Sequence, residues 1–407
     1  MTAIRYMTAG ESHGKALVGF IEGIPSGLSL STEDIDRDLK RRQGGYGRGG
    51  RMKIESDHAE ILSGVRWGRT IGSPVTLLIE NKDYKNWIEA MSPTAKAEGS
   101  IPAVVKPRPG HADLSGAIKY CHHDMRNILE RSSARETAMR VAIGAVAKRF
   151  LSEFGITLGS YVIQIGRIQV QSSKFKVQSS GRELLSIFKK AERSPVRCPE
   201  IEAEKKMINL IDRAIREGNS LGGIFEVFVL GLPVGLGSYI QWDRKLDGRL
   251  AQALMSIQAI KGVEVGLGFE MSSKFGSEGM DEIFYRAKSK EQRAKSENTI
   301  WGFYRKTNNA GGIEGGMTNG MPVILRAAMK PIPTLRKPLR SFDIITKKPV
   351  QAAYERSDIC AVPAAAVIGE AMTALTVADA FLEKFGGDSL TEVKRNYTSY
   401  INYVNKF

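Results

Sequence analysis

The chain has 407 residues, 42% of them hydrophobic and 25% charged, which is ordinary for a soluble globular protein with a substantial core. A net charge of +15 points to anionic ligands, and it fits nucleic acid, an anionic membrane or a phosphorylated or carboxylated small molecule. The sequence shows no apolar run near the ~20 residues of a membrane helix, no signal-peptide core, and only three scattered cysteines (Cys121, Cys198, Cys360), so a cytoplasmic location without membrane is expected.

Residues 10–14 read Gly-Glu-Ser-His-Gly and satisfy G-x-S-x-G. A hydrolase nucleophile elbow requires a strand before this motif and a helix after it. Here nine residues precede it, and the apolar run ALVGFIEGIP that follows reads as a strand. Ser12 is therefore read as a turn residue, and His13 as the chemical candidate. STEDIDRDLKRR (31–42) has a cap residue and an acidic first turn, predicting a helix that stops before Gly44-Gly45.

RRQGGYGRGGR (41–51) offers Arg41, Arg42, Arg48 and Arg51 on a flexible, glycine-rich loop. Three readings stand: a lid gripping phosphate or carboxylate, a solvated surface loop, or an RGG-type RNA contact. Its Gly45-x-Gly47-x-x-Gly50 follows a helix, which makes it weak as a dinucleotide fingerprint. SPVTLLIEN (73–81) reads as a strand. KPRPGHAD (106–113) holds His111 in a rigid turn beside Lys106 and Arg108, as a surface or capping residue or as an active one. No histidine has acidic partners at metal-ligand spacing, so no metal is expected.

ERSSARETAMR (130–140) sets Ser132 and Ser133 at a helix start, with Glu136 completing a capping box. Flanked by Arg131 and Arg135, that helix start also suits an anion. ETAMRVAIGAVAKRFLSEFG is the long helix it opens.

The later chain repeats the earlier one. Gly10-x-Ser-x-Gly14 recurs at 218–222, Gly23-Ile-Pro-x-Gly-Leu28 at 231–236, and Asp36-Arg-x-Leu39 at 243–246. Gly68-x-Thr-x-Gly-x-Pro-Val-x-Leu77 recurs at 316–325, Lys106-Pro-x-Pro109 at 330–333, and Arg131-Ser132 at 356–357. Six matches in one order predict an internal duplication. Extra segments fall near 80–105 in the first copy and 265–312 in the second. RKLDGRLAQALMSIQAIKG (244–262) is predicted as the second copy's first helix, MPVILRAAM as a strand, and PAAAVIGEAMTALTVADAFLEKFGG as its long helix. Asp358 stands where the first copy has Ser133, as an N-cap or a functional group. The expected fold is α+β: one domain over 1–407, with halves of about 1–150 and 218–385, a connector 151–217, and pseudo-twofold symmetry.

GESHG, RRQGGYGRGGR, PRPGHAD, RSSARETAMR, KPIPT and RSDICAVPAAAVIGEAM, in order across residues 10–372, together resemble the chorismate synthases. The resemblance implies a β-α-β sandwich with helices between two sheets, assembled as a homotetramer. It implies a lyase using reduced FMN to eliminate phosphate from 5-enolpyruvylshikimate 3-phosphate, giving chorismate. By motif, His13 protonates the leaving phosphate, His111 acts beside the flavin, and Asp358, Ser12 and Ser133 form a supporting relay. Arg131, Ser132, Ser133, Lys330, Pro331, Ile332, Pro333, Thr334 and Arg356 would contact FMN, with Gln258, Ala259 and Gly315 matched more loosely. Arg42 and Arg48 match the family's NADPH positions. With Arg51, Arg108 and Arg135 they are assigned here to the substrate's phosphate and carboxylates. Whether NADPH or a separate flavin reductase supplies the electrons is left open. The family's glycine run before RSSARET is replaced here by Asn127-Ile-Leu-Glu130.

Overall fold

A computed structural model describes residues 3–49, 56–171, 180–285, 302–354 and 357–407. The first half runs through β1 (Arg5–Ala9), β2 (Ala16–Glu22), α1 (Thr32–Gln43), β3 (Glu60–Ser63), β4 (Val75–Glu80), α2 (Asp113–Tyr120), α3 (Arg126–Ser132) and α4 (Thr137–Ser152). The chain continues through β5 (Thr157–Ile165), β6 (Ile168–Gln169), α5 (Gly181–Ala191), α6 (Ile201–Glu217), β7 (Gly223–Leu230), α7 (Leu246–Met255), β8 (Ile260–Val265) and β9 (Val323–Met329). It closes with α8 (Val362–Phe385) and α9 (Leu390–Val404).

Two antiparallel sheets form, one in the order β1-β2-β4-β3 and the other β8-β9-β7-β5-β6. Strand alternation sets the inner faces: along β2, Leu17, Gly19 and Ile21 are buried while Phe20 and Glu22 face out. The helices lie between the sheets. A Cβ added to Gly19 would come 2.7 Å from Ile143 of α4, and one added to Gly369 of α8 would come 2.6 Å from Phe225 of β7. Gly144 of α4 lies directly on Ala371 of α8, so small residues let the two long helices approach. This is the β-α-β sandwich.

The duplication is visible bond for bond. Equivalent strands occupy equivalent places, β2 with β7, β4 with β9 and β3 with β8, while β5, from the stretch between the halves, takes the place of β1. In the first copy the buried Thr70 hydroxyl donates to Pro25 O at 2.6 Å and accepts from Leu28 N at 3.0 Å. In the second, Thr318 donates to Pro233 O at 2.6 Å and accepts from Leu236 N at 2.9 Å. Gly23 and Gly231, which start these clasps, have φ of +91° and +79°, a region that a Cβ disfavours.

Several local expectations need correction. The Asp36 and Asp243 motifs are not equivalent, because Asp36 lies within α1 whereas Asp243 precedes α7. The second copy's first helix ends at Met255, since the chain must turn to enter β8 at Ile260. Ser132 ends α3 rather than starting a helix, and Ser133 caps only a short 3-10 turn before α4. The side chain of Glu136 serves other partners instead of completing a capping box. Helix α8, contrary to the sequence reading, is long and apolar enough to cross a membrane, but 94% of its apolar stretch is buried in the protein as the core helix. The charged segment near 265–312 forms a 3-10 turn at 268–273, one helical turn at 276–279 and a strand pair of 283–285 with 303–305, as far as it is described.

Arg41 and Arg42 belong to the last turn of α1, not to the loop. Arg41 turns inward, donating to Glu370 of α8 at 2.7 Å and to Glu192 at 2.9 Å. Lys148 of α4 joins Glu370 at 2.8 Å and Asp38 at 2.7 Å. Burial alone would keep Glu370 protonated, but Arg41, Lys148 and Arg197 outweigh it and hold the carboxyl far below its ordinary range.

Candidate active site

GESHG is the hairpin loop between β1 and β2, and the absence of a following helix removes the nucleophile-elbow geometry. Its residues are held from α3 and the α3–α4 junction. Ser12 is buried, donates its amide to Glu130 O at 2.9 Å and places its hydroxyl 3.1 Å from that of Ser133. His13 Nδ1 lies 2.8 Å from Glu130 Oε1, and its ring stacks on Trp87 with centroids 4.1 Å apart. Arg131 donates to the carbonyls of Gly10 and Thr8 at 3.0 and 2.7 Å. Asn81 donates to Gly14 O at 2.7 Å and accepts from Arg135 Nε at 2.8 Å.

Behind this loop stands a buried cluster of cations. Arg135 and Arg42 share Asp57. Arg42 also donates to Ala134 O at 2.8 Å and Thr137 Oγ1 at 3.1 Å. Burial, with Arg48 and Arg135 nearby, pushes its guanidinium down to about 10 despite Asp57. Arg48 lies 3.1 Å from Asp358, which also accepts the Gly49 amide at 2.7 Å. Asp358 is thus a partner of the glycine-rich loop. It is not the N-cap of α8, whose cap position is Ala361.

A second histidine group forms where the 106–113 turn meets KPIPT. His111 Nδ1 approaches Asp113 Oδ1 at 2.5 Å, and Arg108 binds Asp113 at 2.9 Å and Thr334 Oγ1 at 2.9 Å. Burial opposes ionisation of Asp113, but the hydrogen bonds from His111 and Arg108 prevail and hold it well below the usual carboxylate range. Lys330 Nζ donates to Gly110 O, and its backbone amide donates to Ala259 O at 2.9 Å. Burial and the nearby Lys261 lower the Lys330 ammonium. Ser220, the counterpart of Ser12, donates to Ile332 O at 2.6 Å and so fixes KPIPT between its prolines 331 and 333.

These contacts close into a ring. From Ser133 the chain of contacts passes through Glu136 to Gln258 at 3.0 Å, and from neighbouring Ala259 to Lys330, Gly110 and His111. It continues through Arg108 to Thr334, whose carbonyl accepts from Ser357 at 3.2 Å. Asp358, Arg48, Arg42, Arg135 and Asn81 return it to GESHG. Motifs up to about 350 residues apart are thereby linked through a continuous set of contacts. Gly315 stands apart, in the exposed turn of a short hairpin at 313–318 whose Gly316 O accepts from Leu246 N at the start of α7. Arg51 and Arg356 lie outside the described residues.

Four partners escaped the sequence reading: Glu130, Trp87, Asp57 and Asn81. Glu130 and Asn81, like Asp113 two residues from His111, stood inside quoted stretches without a role being read for them. Among the described residues, no group of three or more His, Cys, Asp or Glu side chains is placed to hold a metal ion.

The donor set suits a flavin nucleotide. Arg131, Ser132, Ser133 and Lys330 offer groups for a phosphate, and Gln258 Oε1 is buried without a hydrogen-bond partner among the described residues. That orphaned acceptor fits a ligand carrying an N–H donor.

A duplicated β-α-β sandwich with two carboxylate-paired histidines on a ring of arginines defines a class of enzyme handling polyanionic small molecules. The chain matches the family model for chorismate synthase over residues 4–382. It is 57% identical to the chorismate synthase of Geobacter sulfurreducens over 407 residues, covering 99% of this chain and all of that one. It is also 57% identical to that of Aquifex aeolicus over 405 residues, covering 99% of each. A crystal structure of chorismate synthase superposes with a TM-score of 0.79 at 47% identity, covering 99% of both chains. The chain belongs to the chorismate synthase family of lyases.

Proposed function

We propose that this enzyme converts 5-enolpyruvylshikimate 3-phosphate to chorismate and phosphate by a 1,4-elimination that requires reduced FMN. The carrying observation is the ring of contacts, which joins the two histidine motifs to the arginine loop and to KPIPT. The substrate carries a phosphate and two carboxylates, and Arg48 on the glycine-rich loop is the guanidinium proposed to receive them, with Arg108, buried and bound to Asp113 and Thr334, adding positive charge beside His111. Arg42 and Arg135 are buried and committed to Asp57, so they act as a fixed positive wall behind the ligand, with Arg51 as a further contact from the loop. Bound reduced flavin supplies electron density to the allylic system that loses phosphate.

The protein's own residues do the rest. His13 delivers a proton to the departing phosphate oxygen, and the Ser12–Ser133 contact lines the path by which it is reprotonated. Asp358 supports the relay by holding Arg48 and the loop around Gly49. His111, set by Asp113 beside the flavin site, would take up the proton that leaves the substrate ring as phosphate departs, balancing the proton that His13 gives. Arg131, Ser132, Ser133, Gln258, Ala259, Lys330 through Thr334, and Arg356 hold the FMN. Gly315, in its exposed hairpin turn, is proposed only as a looser FMN contact. The experiment is an anaerobic assay with chemically reduced FMN, with phosphate and chorismate followed together. Both are expected in equal amounts and only with flavin present; turnover without flavin contradicts the reading.

A further inference from the structure

We propose that Glu130 is the positioning residue that sets the tautomer and orientation of His13. The proposal rests on the reading of His13 as the proton donor. Glu130 lies in the last turn of α3 and is 4% exposed. Both carboxylate oxygens face the same histidine: Oε1 lies 2.8 Å from Nδ1, and Oε2 accepts the His13 backbone amide at 2.7 Å. The Glu130 carbonyl accepts the Ser12 amide at 2.9 Å, so one residue fixes the backbone and the ring of its target together.

The chemistry follows from donor and acceptor capacity. A carboxylate only accepts, so the Nδ1 facing it must carry hydrogen. Nε2 is then the nitrogen that gains and loses the exchangeable proton. The ring cannot easily flip, because Trp87 covers one face at 4.1 Å and is itself backed by the Arg126 guanidinium at 5.0 Å. Trp87 comes from the first copy's extra segment, and the second copy has Leu221 at the position of His13. The carboxylate, the indole and the histidine therefore occur together in one half only.

Glu130→Gln gives a sharp test, because the backbone amide of His13 still needs an acceptor. The glutamine oxygen must take that bond, which turns its NH2 toward Nδ1. Nδ1 then becomes an acceptor, the neutral ring carries its hydrogen on Nε2, and the doubly protonated ring meets a donor instead of a carboxylate. Ring 15N spectra of histidine-labelled protein should show Nδ1–H for His13 in the parent and Nε2–H in Glu130→Gln. By analogy with other carboxylate–histidine pairs, kcat should fall about 10²- to 10⁴-fold while KM stays within about threefold. Glu130→Asp, which keeps the carboxylate, should retain the Nδ1–H tautomer and recover most of that loss.

The outcomes separate the two ideas. An Nε2–H tautomer in the parent overturns the proposal, and this reading needs no variant to fold. An unchanged tautomer in folded Glu130→Gln overturns it as well. A flipped tautomer with unchanged kcat supports Glu130 as the orienting residue and instead removes His13 from the proton transfer.

Discussion

At the scale of single residues, the site holds two histidines, each with its Nδ1 facing a carboxylate. His13→Ala and His111→Ala should each lose most of kcat while still binding FMN, as read by flavin titration and steady-state phosphate release. A near-parental rate in either removes that histidine from the mechanism. Asp113→Asn should leave flavin binding intact and lower kcat by about 10²-fold or more, because Arg108 and His111 lose their shared anion. Residues on distinctive motifs were legible in sequence: His13, His111 and Asp358 carry their own punctuation of Gly and Pro. Glu130 and Trp87 were not, since a carboxylate inside a helical run and a tryptophan in an irregular segment give no periodic or spacing signal. Their roles arise only when α3 and the 82–105 segment fold against GESHG.

At the scale of elements, the repeated clasp is the clearest link between sequence and architecture. Thr70 and Thr318 close the same pair of hydroxyl bonds in each half, so Thr70→Val and Thr318→Val should each destabilise the protein by about 1–3 kcal/mol. Denaturant unfolding should show costs of similar size; a large cost on one side only would contradict functional equivalence of the two clasps. The helices α1, α4, α7 and α8 and the inner strands β2, β4 and β9 announced themselves through their apolar runs and caps. The boundaries that failed did so for tertiary reasons. The 244–262 run has helical composition throughout, yet pairing of β8 with β9 claims its last residues for a strand. Arg41 and Arg42 looked like loop cations because the glycines follow them directly, but α1 carries them into the interior, where Glu370 and Asp57 wait.

At the scale of the whole molecule, two sheets enclose helices that meet along a seam of glycine and alanine. Gly144→Val should destabilise by about 2 kcal/mol or more, since Ala371 of α8 offers no flexible end to yield. The same seam holds the Glu370 network, which links α1, α4, α5 and α8. Glu370 and Asp38 are both held below their ordinary values in the folded protein. Their stabilisation is therefore complete above the unfolded carboxylate range of about 4 and drains away as pH falls below it. Urea midpoints measured from pH 7 to pH 3 should drop below about pH 5, and Glu370→Gln, which leaves Arg41, Lys148 and Arg197 with Asp38 and Glu192 as their remaining carboxylates, should cost about 1–3 kcal/mol at neutral pH. The duplication was readable from six recurring motifs, and the clasps at Thr70 and Thr318 and the matching sheet orders carry it into the fold. Composition alone left nucleic acid or small anion open, and the family match favours the small anion. Arg41, Arg42, Arg108 and Arg135 are turned inward rather than spread over a face.

The most direct measurement is an anaerobic single turnover with enzyme, stoichiometric reduced FMN and 5-enolpyruvylshikimate 3-phosphate. The account predicts one equivalent each of phosphate and chorismate, flavin recovered reduced, and neither product when the flavin is omitted. Phosphate released without flavin, or flavin oxidised in proportion to product, would contradict it.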